Sequence, residues 1–282
     1  MTNEPSLFAR KFGLAVSLDL FSRQIDWIRK NFNVIHPGRL CVDVPLPDNA
    51  ALITFDDGFY GTFANGVEHL EKIELPSVVF LNMQAIIEQR PLLSALASFR
   101  ESSLPEFVSF AKRERLTKPF HLCCTPSLMR RVDELFGEVD QAAVIGYQGR
   151  FASLDQLRRF EKSKFVVYGN HLYDHWNATA LKPVEFAKQY TKNQVQLIKF
   201  SNSAEIFAFP NGIPNNCFNE SHVKMLKRLG AKKIFSGVGG INRNSKNYLL
   251  GRMTLNAHDS NEDILWCRLL RASFTCWPNQ HA

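Results

Sequence analysis

The 282-residue sequence predicts a mixed α/β fold built on parallel strands. Apolar runs of strand type alternate with segments whose apolar residues recur at helical spacing, which is the order expected of βαβ units. Polar clusters directly follow three of the predicted strands, beginning at Asp56, Asn170 and Pro210. Because parallel strands end at one edge of a sheet or barrel, these clusters are expected to converge there.

The predicted elements follow one another regularly. Strands are predicted at 50–55, 77–81, 164–168, 205–209, 233–236 and 248–255, and helices at 20–31, 60–73, 183–200, 222–229 and 261–271. Another helix begins after the N-cap residue Ser153. Between about 85 and 150 the pattern is mainly helical and interrupted by prolines, so we expect a helical insertion or lid there. The expected organisation is one domain, 1–282, that carries this insertion.

The composition is that of a globular chain, with 45% hydrophobic and 22% charged residues. No apolar run reaches the roughly 18 residues of a membrane span, and the start lacks a secretory signal pattern, so a cytoplasmic location is expected. Six cysteines form no C-x-x-C pair and are expected to be reduced thiols: Cys41, Cys123, Cys124, Cys217, Cys267 and Cys276.

The formal charge of +7 would suit an anionic partner, such as a nucleotide-linked sugar or a phospholipid-linked saccharide. Basic residues are dispersed along the chain, and no nucleic-acid-binding module surrounds them. We therefore expect no nucleic-acid partner, and the oligomeric state stays open.

Asp56 and Asp57 are adjacent carboxylates at the end of a predicted buried strand. Like charges at close range are costly unless a positive group such as a metal ion compensates them. The alternative is that one of them caps the next helix. His171 and His175 stand four apart, so on a helical turn both imidazoles would face one ion. The alternative for this pair is two surface histidines in a loop.

Asp57, His171 and His175 together offer a carboxylate and two imidazoles. This donor set suits one divalent ion, with zinc favoured and cobalt, manganese or nickel as alternatives, and it leaves open coordination positions. A metal acidifies its bound water, and Asp56 could accept the proton, which is hydrolytic chemistry. The Pro-Asn-Gly sequence around Asn211 could hold an oxyanion with backbone N–H groups, or it could be an ordinary turn.

Three segments carry a family resemblance: TFDDGF at 54–59, GNHLYDH at 169–175 and FAFPNG at 207–212. In this order they resemble successive motifs of the NodB-homology polysaccharide deacetylases, carbohydrate esterase family 4. The resemblance covers about 12–255, and the insertion matches less well. It implies a distorted (β/α) barrel with fewer than eight strands and metal-dependent removal of acetyl groups from sugars. Asp56 takes the base position, Asp57, His171 and His175 the metal positions, and Asn211 the oxyanion position.

The sequence departs from the family pattern at Ala208, where family members often have an arginine that orients the base. Arg252 could replace that arginine in space, or it could pair with an acidic neighbour. We also count Arg252 among the candidate substrate-binding residues.

The histidine that donates a proton to the leaving group is the second departure, because no clean Leu-x-His motif occurs near the end of the chain. His258 is the nearest candidate catalytic acid. It could equally be a loop histidine before a helix capped by Ser260 or Asn261, and Asp174 and His222 are further candidates. An aromatic floor for a sugar ring is predicted from four residues that flank the motifs, with ordinary packing as the alternative: Phe59, Tyr60, Tyr173 and Trp176.

The leading hypothesis is an intracellular, metal-dependent deacetylase of an N-acylated amino sugar, such as a carrier-linked precursor of surface polysaccharide or lipopolysaccharide. One alternative is a sugar-binding protein of the same fold that has lost turnover, which the missing arginine motivates. The other is an amidase that acts on a non-sugar amide.

Overall fold

The computed structural model describes residues 1–114, 119–238 and 240–274. Strands β1 (Asn33–Val34) and β2 (Ala50–Ala51) form a small parallel pair. The main sheet has six parallel strands, and each strand lies beside the next one in the chain: β3 (Ile53–Asp57), β4 (Ser77–Leu81), β5 (Val166–Asn170), β6 (Ser203–Ala208), β7 (Lys233–Phe235) and β8 (Leu249–Leu250). The sheet curls into a half barrel, which confirms the predicted distorted (β/α) barrel.

Helices precede, connect and follow these strands. Within the described residues, two short 3₁₀-helices lie at Pro37–Leu40 and Ala178–Ala180, and a π-helical segment lies at Thr62–Val67. The α-helices of the described residues are α1 (Leu7–Lys11), α2 (Leu18–Asn31), α3 (Glu68–Lys72), α4 (Met83–Glu88), α5 (Leu93–Ser103), α6 (Pro105–Arg113), α7 (Phe120–Cys123), α8 (Pro126–Phe136), α9 (Gln141–Gln148), α10 (Leu154–Phe160), α11 (Pro183–Leu197), α12 (Glu220–Arg228) and α13 (Glu262–Phe274).

Strand β4 lies in the interior, and all five of its residues are buried. Its side chains alternate between the two faces of the sheet. Val79 and Leu81 pack in one apolar cluster with Phe160, whereas Val78 and Phe80 pack in another. Burial on both faces explains why this strand is an unbroken apolar run in the sequence.

The expected helical insertion corresponds to α4 to α9, which lie between β4 and β5. Phenylalanines from α6 and α7 form part of its own apolar cluster. Its end is tied back to the loop after β3. The Tyr60 N–H donates to the Arg150 carbonyl (3.0 Å), the Ala152 N–H donates to the Gly58 carbonyl (2.9 Å), and the Phe59 ring stacks on Phe151.

Several boundaries differ from the sequence prediction. The strand predicted at 50–55 is interrupted at Leu52. The helix predicted at 60–73 contains a π-helical segment, Thr62–Val67, after its first two residues. The strand predicted at 248–255 is reduced to β8, at the edge of the sheet where pairing is one-sided. None of the described helices is both long and apolar enough to cross a membrane. Cys276 lies outside the described residues.

Candidate active site

The strand register brings the polar clusters to one edge of the sheet. Asp57 at the end of β3 pairs with Leu81, and Leu81 pairs with Asn170 at the end of β5. Asn170 in turn pairs with Phe207 of β6. His171 directly follows Asn170, so the first histidine lies two strands away from Asp57 at the same edge.

Asp57, His171 and His175 lie together at this edge, and their ligand atoms are all within 4.8 Å of one another. Asp57 Oδ1 lies 3.1 Å from His175 Nε2 and 3.5 Å from His171 Nε2. This oxygen is buried and accepts no hydrogen bond within the described residues. A buried acceptor faced by two imidazole nitrogens is an arrangement that a shared cation would complete.

The orientation of His171 also fits a metal ligand. Its Nδ1 lies 2.8 Å from the carbonyl oxygen of Ala208, so Nδ1–H donates to that carbonyl and leaves the Nε2 lone pair for an ion. The His171 side chain is 1% exposed and that of His175 is 8% exposed, which limits competition from water. The three side chains therefore fit a divalent metal ion in both donor type and orientation.

The segment between the two histidines is not the helical turn that their spacing suggested. Leu172 and His175 adopt left-handed backbone conformations, with φ of 61° and 55°. The Asn82 side-chain amide, placed directly after β4, donates to the His171 carbonyl and to the Leu172 carbonyl (3.0 Å). A loop held by a buried asparagine therefore brings the imidazoles together, with ring centroids 5.0 Å apart.

Unlike Asp57 Oδ1, both carboxylate oxygens of Asp56 accept hydrogen bonds. Arg252 donates to both of its oxygens, from Nη1 to Oδ1 (2.7 Å) and from Nη2 to Oδ2 (2.8 Å). Arg252 is itself held by the Ser236 carbonyl and the Thr54 hydroxyl. Its side chain is 15% exposed, so this two-pronged ion pair is largely protected from water. Arg252 therefore pairs with an acidic neighbour, and that neighbour is the predicted base.

The electrostatics keep both carboxylates ionised. Burial opposes ionisation of Asp56, but the charges of Arg252 and His171 lower its pKa below the ordinary value. Burial likewise opposes ionisation of Asp57, and the adjacent His175 and His171 lower its pKa. Burial disfavours the charged form of His171, but the negative charges of Asp56 and Asp57 raise its pKa.

Asn211 lies in the turn after β6 and has a left-handed conformation, with φ of 60°. The Gly212 N–H donates to the Pro210 carbonyl (2.7 Å) and is engaged within the turn. The Asn211 N–H makes no hydrogen bond within the described residues. Of these two amides, Asn211 therefore supplies the one that is free to donate.

The candidate catalytic acids take different positions: Asp174 directly precedes His175, whereas His258 and His222 belong to other segments. His258 is exposed on a turn, and its amide donates to Asn256. Within the described residues, no hydrogen bond or ion pair joins its ring to Asp57, His171 or His175, the candidate metal ligands that we call the metal cluster. Asn261 Oδ1 accepts the Ile264 N–H (3.0 Å) and so caps the start of α13. His258 is therefore a loop histidine before a capped helix, the second of the two positions considered for it. His222 is buried in the capping box of α12. Asp174 accepts from the Gln189 side-chain amide (2.8 Å).

The predicted sugar-binding aromatics are partly used in packing. Tyr173 is 4% exposed, its hydroxyl contacts Glu88, and the Lys192 ammonium lies over its ring. Its ring therefore lies in the core rather than on a surface. Phe59 is stacked against the end of the insertion, and the Arg150 guanidinium lies over the Tyr60 ring at 3.7 Å. Trp176 is partly buried between two apolar clusters.

Sequence reasoning missed a group of buried asparagines that shape this edge. Asn193 on α11 donates to the Leu81 carbonyl (2.8 Å) and to Asn170 Oδ1 (2.9 Å), and Asn82 holds the histidine loop. Asn82 follows β4 directly, so the signal that marked Asp56 and Asn170, a polar residue after a buried strand, would also have found it. His121 on α7 was missed too, and the charge of His175 contributes to the lowering of its pKa, after burial.

The family described as polysaccharide deacetylase matches residues 43–234 of this chain, which span all three motifs and the insertion. This chain belongs to the polysaccharide deacetylase family. The predicted resemblance is thereby confirmed. Among curated proteins, none matches this deacetylase.

Solved structures support the fold of the deacetylase. The deacetylase PplD of Streptococcus pyogenes, in complex with acetate, is 15% identical, with a TM-score of 0.59 over 89% of this chain and 86% of that one. IcaB of Ammonifex degensii is 18% identical, with a TM-score of 0.59 and 90% of each chain covered. A de-N-acetylase of Aggregatibacter actinomycetemcomitans is 14% identical, with a TM-score of 0.58 and 90% of each chain covered. At these identities the likeness concerns the fold alone.

Proposed function

We propose that this deacetylase is a metal-dependent hydrolase that removes an acetyl or other acyl group from the nitrogen of an amino sugar. The observation that carries the proposal is the buried, unpartnered Asp57 Oδ1, which faces two imidazole Nε2 atoms beside the ionised Asp56. The proposed substrate is an acylated amino sugar or saccharide, linked to a carrier, that serves as a precursor of surface polysaccharide or lipopolysaccharide.

In the proposed mechanism Asp57, His171 and His175 hold one divalent ion, with zinc favoured and cobalt, manganese or nickel as alternatives. Such an ion acidifies water and polarises an acyl carbonyl when bound. Asp56 accepts the proton of the attacking water at a carboxylate oxygen, and the Arg252 guanidinium fixes the direction of that oxygen. The free Asn211 N–H donates to the developing oxyanion.

The leaving amine must also take up a proton. No hydrogen bond or ion pair joins His258 to the described cluster, so we assign this step to Asp56, which carries a proton after the attack. One carboxyl group then serves first as base and afterwards as acid.

The test uses protein loaded with zinc or cobalt and a panel of acylated amino sugars, with release of acetate or formate as the signal. Asp56→Asn should retain the metal and lose at least about a hundredfold in rate, as expected when a general base is removed. His171→Ala should lose both metal and activity. The matched control is His258→Ala, an exposed histidine that should remain active. Equal release by the Asp56→Asn and His171→Ala variants and by wild type would end the proposal.

One observation favours a second candidate function, a sugar-binding protein without turnover. Both oxygens of Asp56 are engaged by Arg252, which lowers the pKa of the base and weakens its pull on a proton. Sugar binding that survives Asp56→Asn, with no turnover across the panel, would support it. Small non-sugar amides, including a cyclic imide and a formamide, belong in the same panel because they test the amidase alternative.

A further inference from the structure

A second concave site lies at the opposite end of the sheet from the metal cluster. Its volume is about 470 Å³. The lining residues come from the end of α2, from β1 and from the segments on either side of the β1–β2 connection, and Leu75, just before β4, completes the lining. These segments adjoin the amino ends of β3 and β4, whereas Asp57 and His171 lie at carboxyl ends. A five-residue strand spans roughly 16 Å, so the two sites are separate.

Apolar side chains supply part of the lining, and we call this part the floor of the pocket. Phe32, Val34, Ile35 and Leu75 are among its lining residues, and Ile35 is 5% exposed. The Phe32 ring is supported from behind by Trp27, with ring centroids 5.3 Å apart. Such a floor offers an apolar or aromatic group a surface to cover.

The charged side chains of the lining are both arginines, Arg29 and Arg39, and no carboxylate is among the described residues that line the pocket. Arg39 donates from Nη2 to the Pro45 carbonyl (2.9 Å) and forms no ion pair with the described carboxylates. Arg29 is paired only loosely, at 3.8 Å from Asp26, with its side chain 48% exposed. A pair of that kind contributes little, so both guanidinium groups retain charge for another anion.

His36 adds an uncharged donor. Its Nδ1 accepts the Gly38 N–H (3.1 Å), so the ring proton lies on Nε2. Burial lowers the pKa of His36, and the ring is therefore neutral near pH 7. The lining thus combines two planar guanidinium forks and a ring N–H above an apolar floor.

We propose that this pocket binds a phosphate ester with an apolar or aromatic body, the phosphate on Arg29 and Arg39 and the body on the floor around Phe32 and Leu75. Each arginine fork engages two oxygens at a time. Two forks can share the oxygens of one phosphate, whereas a single carboxylate offers only two oxygens, so the pair favours phosphate. The site is independent of the proposed hydrolysis. A nucleoside diphosphate and a prenyl diphosphate share this chemistry, and the experiment distinguishes them.

The test is isothermal titration calorimetry of the full chain with uridine diphosphate, geranyl diphosphate and inorganic phosphate. At least one ester should bind more than tenfold tighter than inorganic phosphate, and the tighter ester identifies the source. Arg29→Gln combined with Arg39→Gln should weaken that ester at least tenfold, and added salt should weaken it as well. The matched control is Arg23→Gln, because Arg23 lies on the same helix, pairs with Asp19 and does not line the pocket.

The double variant changes exposed side chains, so it should fold and release acyl groups at the wild-type rate. Three outcomes would overturn the proposal: no binding of either ester, equal affinity for inorganic phosphate, or equal weakening by Arg23→Gln and by the double variant. Diphosphate coordination at the metal site would show as binding that the double variant leaves unchanged, and that outcome also counts against the pocket.

Discussion

Two parts of the molecule bury charge, and they do so differently. At the carboxyl edge of the sheet, Asp57 Oδ1 is buried without a hydrogen-bond donor and faces two imidazole nitrogens. Inside the helical insertion, Arg100 is 1% exposed and donates to Asp133 (2.5 Å) and to the Gly137 carbonyl (3.0 Å). Its Nε and Nη1 atoms are buried without partners.

The difference lies in what the unpartnered atoms could bind. In the metal cluster they are lone pairs of oxygen and nitrogen that converge on one point, which suits a cation. In the insertion they are N–H donors of a buried arginine, and no acceptor among the described residues pairs with them. Convergence of lone pairs, rather than burial of charge, therefore distinguishes the candidate metal site from a structural ion pair.

Beyond the proposed base and metal ligands, the largest effect is expected at Arg252. Hydrogen bonds to charged groups contribute about 1.5–3 kcal/mol, so Arg252→Gln should lower kcat/KM by about tenfold to a hundredfold. The charge of Arg252 lowers the pKa of Asp56, and its removal should raise that pKa. Since Asp56 must be ionised to accept a proton, the acid limb of the pH–rate profile should move to higher pH.

Arg150→Gln is the control for this measurement, because Arg150 is exposed and stacks on Tyr60 in the neighbouring loop. It should leave the acid limb in place. A rise in KM alone for Arg252→Gln, with an unchanged profile, would instead make Arg252 a substrate-binding residue, as the sequence analysis first counted it.

A smaller effect, on stability rather than on catalysis, is expected in the insertion. Asp133→Asn removes the counter-charge of a buried arginine and should lower the free energy of unfolding by about 2 kcal/mol, less than for a fully buried pair because Asp133 is 36% exposed. Arg100→Met should cost less, because it leaves no buried charge behind. Urea denaturation measures both, and a greater loss for Arg100→Met would contradict the comparison.

The smallest effect concerns Cys124, in the same apolar cluster as the insertion phenylalanines. Burial raises the pKa of its thiol from 9.0 to about 12. The folded state keeps a proton that the unfolded chain releases near pH 9, so the associated stability is present below that pH and is lost as pH rises towards 12. At pH 10 the loss should be about 1.4 kcal/mol.

Denaturation of wild type and Cys124→Ala between pH 8 and 10.5 isolates this loss as a difference in pH dependence. Cys267→Ala, at an exposed position, is the matched control. Parallel curves for wild type and Cys124→Ala would show that the buried thiol does not contribute.

Sequence patterns predicted the features that depend on local apolarity and chain order. The strand at 77–81 was placed correctly because burial on both faces leaves an unbroken apolar run. Asp57, His171 and His175 lie near one another, as expected when parallel strands end together, and their assignment as metal ligands stays a prediction. The reason given for the histidine pair was wrong, since a left-handed residue such as Leu172 has no reliable sequence signature.

Contacts between side chains that are far apart in the chain could not be predicted from the sequence. Arg252 and Asp56 are separated by 196 positions, and only the curl of the sheet decides that they meet. Asn211 was assigned to the oxyanion position, and the structure adds that its own amide, unlike that of Gly212, is free to donate. The internal contacts of the insertion, such as Arg100 with Asp133, follow from packing between short helices that periodicity alone does not position.

The backbone pairing between the end of the insertion and the loop after β3 has a consequence for protein engineering. Residues 150–152 hydrogen-bond with Gly58 and Tyr60, next to the carboxylates. A chimera that exchanged the whole stretch between β4 and β5 would therefore replace the residues that hydrogen-bond to the loop after β3. Grafts with junctions inside 90–148 would retain that scaffold, so the insertion can be exchanged as a cassette only if its last few residues stay with the recipient.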